Sequence, residues 1–456
     1  MADDVTGNVS GPQLVASPAV LPKVAMVEPY WDFWESSVAY DLRADRAELG
    51  VRVRAALDVE WVAPDQADAI LVLQTMATPP AWTLAALGDL PLVVWAAHRG
   101  ATPGERFDHA AITTEGATVG TPMLTSLLVR EGRPFELVLG RIDDPAASDA
   151  VAAALRAAVA ARRLARARIG RVGPPLPGYD CVDGDAALLR DGLGVELVAV
   201  EPAELTALYG AVAPDRVRAL EAETRATYDV RVEGEGLERS LRAACALDDL
   251  VARHGLDAGA LNCHVPEIRL GPEIGIAPCF ALGRSTSRGV PWTCVGDVLT
   301  AVAMLATTLL GGASQYHELE AVDYATGELV LASSGEFDLR LAPDATPALV
   351  ANDWFAGDPC TGACACFAAP AGPATLLAFA QAEGANRFVV ADGAFTGRAF
   401  PATGTANGAF RFAGGLPAWT AWCRAGANHH SSATPGAHGP AVQSLGRFLD
   451  VEVHRV

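Results

Sequence analysis

Residues 68–76 read DAILVLQTM, and this stretch decides the fold. Five apolar residues, Ala69 to Leu73, follow one another without alternation between polar and apolar positions. The run is too short for a helix and is bounded by Asp68 on one side and Gln74 on the other. A strand that is apolar on both faces belongs in a parallel sheet covered on both sides. Three more stretches match it: KVAMVEP (23–29), PLVVWAA (91–97) and FELVLGRI (135–142). Helical stretches separate them. The last, ASDAVAAALRAAVAARRLARAR (147–168), is rich in alanine, starts near an Asp-Pro and ends in arginines, as the helix dipole prefers. Residues 22–168 therefore read as a doubly wound α/β domain. Residues 1–21 carry Gly, Pro and Ser without periodicity and read as a loose leader.

Outward from that domain the pattern repeats once and then changes. RIGRVGPPLPGYDC (168–181) and GVELVAVEP (194–202) give strand and loop signals, and DRVRALEAETRATY (215–228) and LERSLRAACALDDLVARHG (237–255) are amphipathic helices. DAGALNCH (257–264), IGIAPCFALGRSTSRGVPWTCVGD (274–297) and an apolar helix to Leu310, stopped by Gly311-Gly312, complete a second α/β domain over 169–312. Beyond it, GELVLASSGEFDLRL (327–341), ATLLAFAQ (374–381), NRFVVADGAF (386–395) and GAFRF (408–412) alternate with Gly/Pro/Thr turns. Residues 313–456 read as a mostly β domain.

Composition excludes several functions. The 456 residues are 51% apolar and 19% charged, which is globular, and the length calls for more than one core. A formal charge of −20 argues against nucleic acid or an anionic membrane as partner, and leaves a neutral ligand such as a sugar open. No secretory signal is visible, and the longest apolar run, Val298 to Leu310, is too short to span a bilayer, so a soluble cytoplasmic protein is expected. The nine scattered cysteines fit free thiols. Lys23 is the single lysine, so there is no Gly-Lys-Ser/Thr phosphate loop and little scope for Schiff-base chemistry. The first strand does not open into G-x-G-x-x-G.

Three segments concentrate polar groups: CVGD (294–297), GGASQYHELEAVDY (311–324) and WCRAGANHHSSATPG (422–436). Asp297, directly before an apolar helix, reads as an N-cap by itself. Glu318 and Glu320 fit the solvent face of an alternating strand. Of the adjacent His429 and His430, one can bind while its neighbour supports it. Together, two carboxylates and a histidine are hard ligands suited to Mn²⁺ or Mg²⁺. A cation held by them would acidify the proton between two neighbouring sugar oxygens, and a nearby Glu would shuttle it: aldose–ketose isomerisation through an ene-diol. Cys360, Cys364 and Cys366 with His429 make a loose zinc set whose spacing matches no standard knuckle. Trp31, Trp34 and Glu35 follow the first strand, where α/β sheets bind ligands, and tryptophan stacks well on sugars.

At these segments the chain resembles the metal-dependent L-arabinose/L-fucose isomerase superfamily. PYWDFWE (29–35), residues 113–144, IGIAPCFALGRSTSRGVPWTCVGDVLTA (274–301) and WCRAGANHHSS (422–432) carry the resemblance. It implies two α/β domains followed by a barrel-like β domain. It also implies a homo-oligomer, trimer or hexamer, with active sites between subunits, and isomerisation of a pentose, hexose or deoxyhexose. Carried over residue by residue, the family's ligand positions fall on Val295, on Glu318 (or, one residue earlier, His317), on Ser333 and on His430. Glu318 would bind metal and transfer the proton, with Asp297 as a second catalytic group. Val295 and Ser333 depart from the pattern, and Asp297, Glu336, His317 and His429 are the candidates to compensate. His264 and Asn428 join Trp31, Trp34 and Glu35 as substrate-binding candidates. If the centre is rebuilt the cofactor is Mn²⁺ or Mg²⁺; otherwise there is none. The alternatives are a sugar-binding or regulatory paralogue without metal, and a metal-independent isomerase or epimerase acting on an activated keto-sugar.

Overall fold

The computed structural model describes residues 21–98, 104–105, 107–342, 344 and 346–456. The leader expected over 1–21 lies, but for Leu21, outside the described residues. The chain forms two compact units: one runs to Arg166 and regains Pro440–Glu452, and the other spans Ala167–Gly439 with Val453–Val456.

In the smaller unit, β1 (Lys23–Val27), β2 (Glu60–Trp61), β3 (Ala69–Gln74), β4 (Leu92–His98) and β5 (Phe135–Arg141) form a parallel sheet in the order β2-β1-β3-β4-β5. Alternate residues of β3 and β4 enter two different cores. Ala69, Leu71, Leu73, Val93 and Trp95 meet Leu49 and Val53 of the helix Leu42–Ala56 and Val151 and Leu155 of the helix Pro145–Leu164. Ile70, Val72, Leu92 and Val94 meet Leu124 and Leu128 of the helix Ala117–Arg130. Both faces are covered over β3 and β4, which is why DAILVLQTM shows no alternation. The edge strand β5, expected to be equally buried, instead leaves Leu137 and Leu139 exposed, because among the described residues no helix covers that face there. The helix Pro145–Leu164 starts where the Asp144 carboxylate accepts from the Ala146 amide at 3.0 Å, and Arg162 and Arg163 occupy its last turn.

The larger unit begins with a second parallel sheet, β10-β9-β6-β7, from β6 (Arg168–Val172), β7 (Glu196–Val200), β9 (Ala258–Leu261) and β10 (Trp292–Thr293). Gly259 lets β10 come close: a Cβ there would lie 2.3 Å from the Trp292 ring. The third sheet contains β8 (Asp229–Val230), β11 (Gln315–Asp323), β12 (Glu328–Ala332), β13 (Ala348–Ala351), β14 (Ala363–Ala368), β15 (Gly372–Ala382), β16 (Ala385–Phe395), β17 (Ala406–Phe412), β18 (His430–Pro435) and β19 (Glu452–Arg455). Six of these, β16-β15-β18-β11-β12-β17, close on themselves because β17 pairs back onto β16. The result is an antiparallel barrel, which removes the exposed edges of an open sheet. Glu383 and Gly384, both at positive φ, make the two-residue turn between β15 and β16.

The helix Val298–Gly311 packs against β6 and β9 on one side and β15 and β18 on the other. Every residue from Val298 to Thr307 is buried, so the longest apolar run belongs to a helix enclosed by two sheets. Among the described residues no helix is long and apolar enough to cross a membrane. One expected strand is shorter than its sequence suggested. Of residues 327–341, the ladder ends at Ala332, because the Ser333 hydroxyl donates to the Glu336 carbonyl at 2.6 Å and draws the chain into a turn.

Candidate functional site

The site starts from one cross-strand pair. β11 and β18 are antiparallel, and their register sets Glu318 opposite His430. Directly opposed residues project on the same face of a sheet and lie within reach of each other. His429 precedes the strand and is held by Asn428, whose side-chain oxygen lies 2.7 Å from the His429 amide and 2.6 Å from its Nδ1. The two imidazole rings stand 3.9 Å apart, centroid to centroid. One ligand atom from each of Glu318, His429 and His430 lies within 4.8 Å of the other two. Among the described residues no other three His, Cys, Asp or Glu side chains gather in this way, and the loose set of Cys360, Cys364 and Cys366 is not brought together.

Asp297 is fully buried and does two things at once. One carboxylate oxygen accepts from the Thr300 amide at 2.7 Å, capping the helix Val298–Gly311. The other lies 2.6 Å from His430 Nδ1. With Nδ1 engaged, Nε2 is the ring nitrogen left to face a ligand, the arrangement in which a carboxylate orients a metal-binding histidine from behind. Burial pulls the His430 pKa down, but the bond and charge of Asp297, helped by Glu318 and Glu336, raise it above the ordinary value. Burial lowers that of His429, and the charge of His430 lowers it further, so His429 is neutral at pH 7.

The walls come from the loops that leave the parallel sheet. Tyr179, in the loop after β6, brings its hydroxyl to 3.3 Å from His429 Nε2. Asn262, after β9, donates to the Pro174 carbonyl at 2.8 Å, and the Gly296 amide, after β10, donates to the Leu261 carbonyl at 3.1 Å. The site thus lies at the carboxyl ends of the strands, where the chain departs in opposite directions from β6 to β7 and β9, the usual ligand position in open α/β sheets. On the barrel side the Tyr316 ring packs 5.0 Å from His430, and the Ser334 hydroxyl donates to Glu318 Oε1 at 2.5 Å. Glu320 is exposed, and partial desolvation together with the Glu318 charge raises its pKa.

The remaining expected residues fall in different places. Val295, on the position where a metal-binding carboxylate was expected, carries no ligand atom and sits at φ 50°, a left-handed conformation that is strained for a β-branched residue. The Ser333 side chain is turned to the Glu336 carbonyl and is fully buried. Two of the compensating candidates do not join the cluster. His317 projects from the opposite face of β11, inside the barrel, with its ring edge-on to Phe395 at 5.9 Å. Strand alternation therefore assigns the site to Glu318 and not to its neighbour. Glu336 is 1% exposed, and burial pushes its pKa up to about 8. His264 meets Arg269 at 3.2 Å and the Phe355 ring, and Asn428 also donates to the Cys181 carbonyl at 3.2 Å.

In the smaller unit Trp31, Trp34 and Glu35 surround a short 3-10 turn, Asp32–Ser37, after β1. The Trp34 indole donates to the Ala77 carbonyl at 2.8 Å, Trp31 stacks on Phe33, and Glu35 accepts from Tyr30 and Arg43. Reading the sequence missed Tyr179 and Ser334. Tyr179 lies 250 residues from His429, and only its place in a Pro/Gly-rich loop after a parallel strand pointed to it.

Fold and site together define a class: parallel α/β sheets joined to an antiparallel barrel, with a carboxylate and two imidazoles gathered where sheet and barrel meet. No family model matches the chain. Among curated proteins it is similar to an L-arabinose isomerase of Bifidobacterium animalis subsp. lactis (strain AD011), at 25% identity over 229 residues, or 48% of this chain and 44% of that protein. The match spans less than half the length of either protein.

Proposed function

We propose that the protein is a sugar isomerase-like enzyme that moves a proton between neighbouring carbons of an aldose through an ene-diol. The observation that carries this reading is the convergence of Glu318, His429 and His430, with Asp297 bound to the rear nitrogen of His430. One carboxylate and two imidazoles suit Mn²⁺ and other divalent cations that accept mixed oxygen and nitrogen ligands, so the donor set fits a metal held by Glu318, His429 and His430. When bound, such an ion supplies Lewis acidity to the oxygens of a sugar.

The chain's own residues do the rest. The Ser334 hydroxyl fixes the Glu318 carboxylate from one side, positioning the group to take the proton from one carbon and return it to the next. Asp297 holds His430 in one tautomer. The Tyr179 hydroxyl stands beside His429, where it can donate to a substrate oxygen. The buried rings of Tyr316 and His430 exclude water from this side. A homo-oligomer, and the contribution of Trp31, Trp34 and Glu35 to sugar binding, belong to the same proposal.

The test is to incubate purified protein and Mn²⁺ in deuterated water with a panel of pentoses, hexoses and deoxyhexoses. Deuterium should appear at the carbon next to the carbonyl of at least one sugar, and should not appear with Glu318→Gln. Val295 favours a second reading, because it puts an apolar side chain where a ligand was expected: a sugar-binding paralogue without turnover. Tight sugar binding that is unaffected by EDTA and brings no exchange would select it.

A further inference from the structure

Two cysteines lie in contact on the wall of this site. Cys263 follows β9 and Cys294 follows β10, and since these strands run parallel and adjacent, both side chains emerge at the same end of the sheet. Their sulfurs are 2.7 Å apart, and the residues are 0% and 2% exposed. A disulfide requires about 2.05 Å between sulfurs, so closure needs a movement of well under 1 Å. Nothing in the proposed activity uses either thiol. Their surroundings suit a reactive pair. The two sulfurs lie within hydrogen-bond reach, and Cys294, with His264 beside it, holds the Cys263 thiol below the ordinary thiol range. The Glu336 carboxyl is buried and close enough to feel both sulfurs.

We propose that Cys263 and Cys294 are a reversible dithiol–disulfide site, closed by a small peroxide. The Cys263 thiolate attacks one peroxide oxygen, the O–O bond breaks, and a sulfenic acid and hydroxide form. The Cys294 sulfur then attacks the Cys263 sulfur, the S–O bond breaks, and the departing hydroxide leaves as water with the proton of Cys294. Two thiols are oxidised by two electrons, and one peroxide is reduced to two waters. Burial restricts the oxidant to a molecule of this size. The new bond ties together the ends of β9 and β10. Cys294 begins the turn through Val295 and Gly296, both left-handed, that delivers Asp297 to His430. Oxidation therefore fixes the backbone on which the orientation of His430 depends.

The experiment uses the folded, full-length protein and does not depend on any sugar activity. After hydrogen peroxide treatment, remaining thiols are alkylated under denaturing conditions and the chain is cut with trypsin without reductant. Cleavage after arginine places Cys263 alone in His254–Arg269 and Cys294 alone in Gly289–Arg340, with Cys279 on a separate peptide. The expected product is these two peptides joined, two hydrogens lighter than their sum. It disappears with dithiothreitol and is absent from Cys294→Ser and from Cys263→Ala, each checked for folding by circular dichroism. The exposed Cys181 and Cys423 report that oxidant was sufficient. Oxidation of Cys181 and Cys423 with both Cys263 and Cys294 fully alkylated overturns the proposal. So does a cross-link to Cys279 in place of Cys294, or one that forms only after denaturation.

Discussion

The two faces of one strand pair, β11 and β18, carry similar residue types to different ends. On the outer face, Glu318 and His430 stand opposite each other, each with a polar support: Ser334 on Glu318, Asp297 on His430 and, beside them, Tyr179 on His429. On the inner face, one residue along, His317 stands opposite Ser431, and among the described residues neither the His317 nitrogens nor the Ser431 hydroxyl has a hydrogen-bond partner. The residue types are similar and the backbone is shared. What separates a site from an unsatisfied core is which face the alternation assigns and what the neighbouring sheet brings to it.

The strongest way to break this contrast is Glu318→Gln. It should lower deuterium exchange by about 10²–10⁴-fold, the range for a positioned proton-transfer group, while thermal stability stays close to wild type. His317→Leu, the inner-face counterpart, should leave exchange and Mn²⁺ binding unchanged and raise stability by about 1–3 kcal/mol in urea melts, because two unpaired nitrogens are removed.

The same pair sharpens with pH. Burial depresses His317 to about 3, so the folded state resists a proton that the unfolded chain accepts near the ordinary value of 6.5. Stability is present above pH 6.5 and is lost as pH falls toward 3, and His317→Leu should abolish that part of the acid slope. His430 has the opposite sign without metal: its pKa is raised, so its contribution is present below the ordinary histidine value and is lost as pH rises through the raised one. Urea melts of His430→Asn across pH 5–8 should lack this alkaline loss.

Smaller effects test the supports of the outer face. Asp297→Asn keeps a helix cap but weakens the hold on His430, and Mn²⁺ affinity measured by calorimetry should fall about 10–100-fold. Ser334→Ala removes one bond to a carboxylate and should cost about 10-fold in exchange rate with Mn²⁺ affinity nearly unchanged.

Much of this was legible in the sequence. The uninterrupted apolar strands specified the parallel sheets, because burial on both faces leaves no polar positions. The alternating pieces after residue 312 specified β structure, but the barrel closure did not show, since pairing of β16 with β17 is a long-range event that no local pattern encodes. Asp297 was readable as a cap and not as the partner of His430, 133 residues away. The choice between His317 and Glu318 could not be made from spacing and needed the face each occupies. Val295 drew attention as a residue without a ligand atom, and its left-handed backbone could not be read from the sequence.

The helix Val298–Gly311 has a mechanical consequence. It is wedged between the parallel sheet and the barrel, and its first turn is tied through Asp297 to β18. The cap that starts this rod is also the brace of His430, so the rod cannot slide along either sheet without unseating the imidazole. A displacement of this helix along the seam between sheet and barrel would therefore move the His430 imidazole with it.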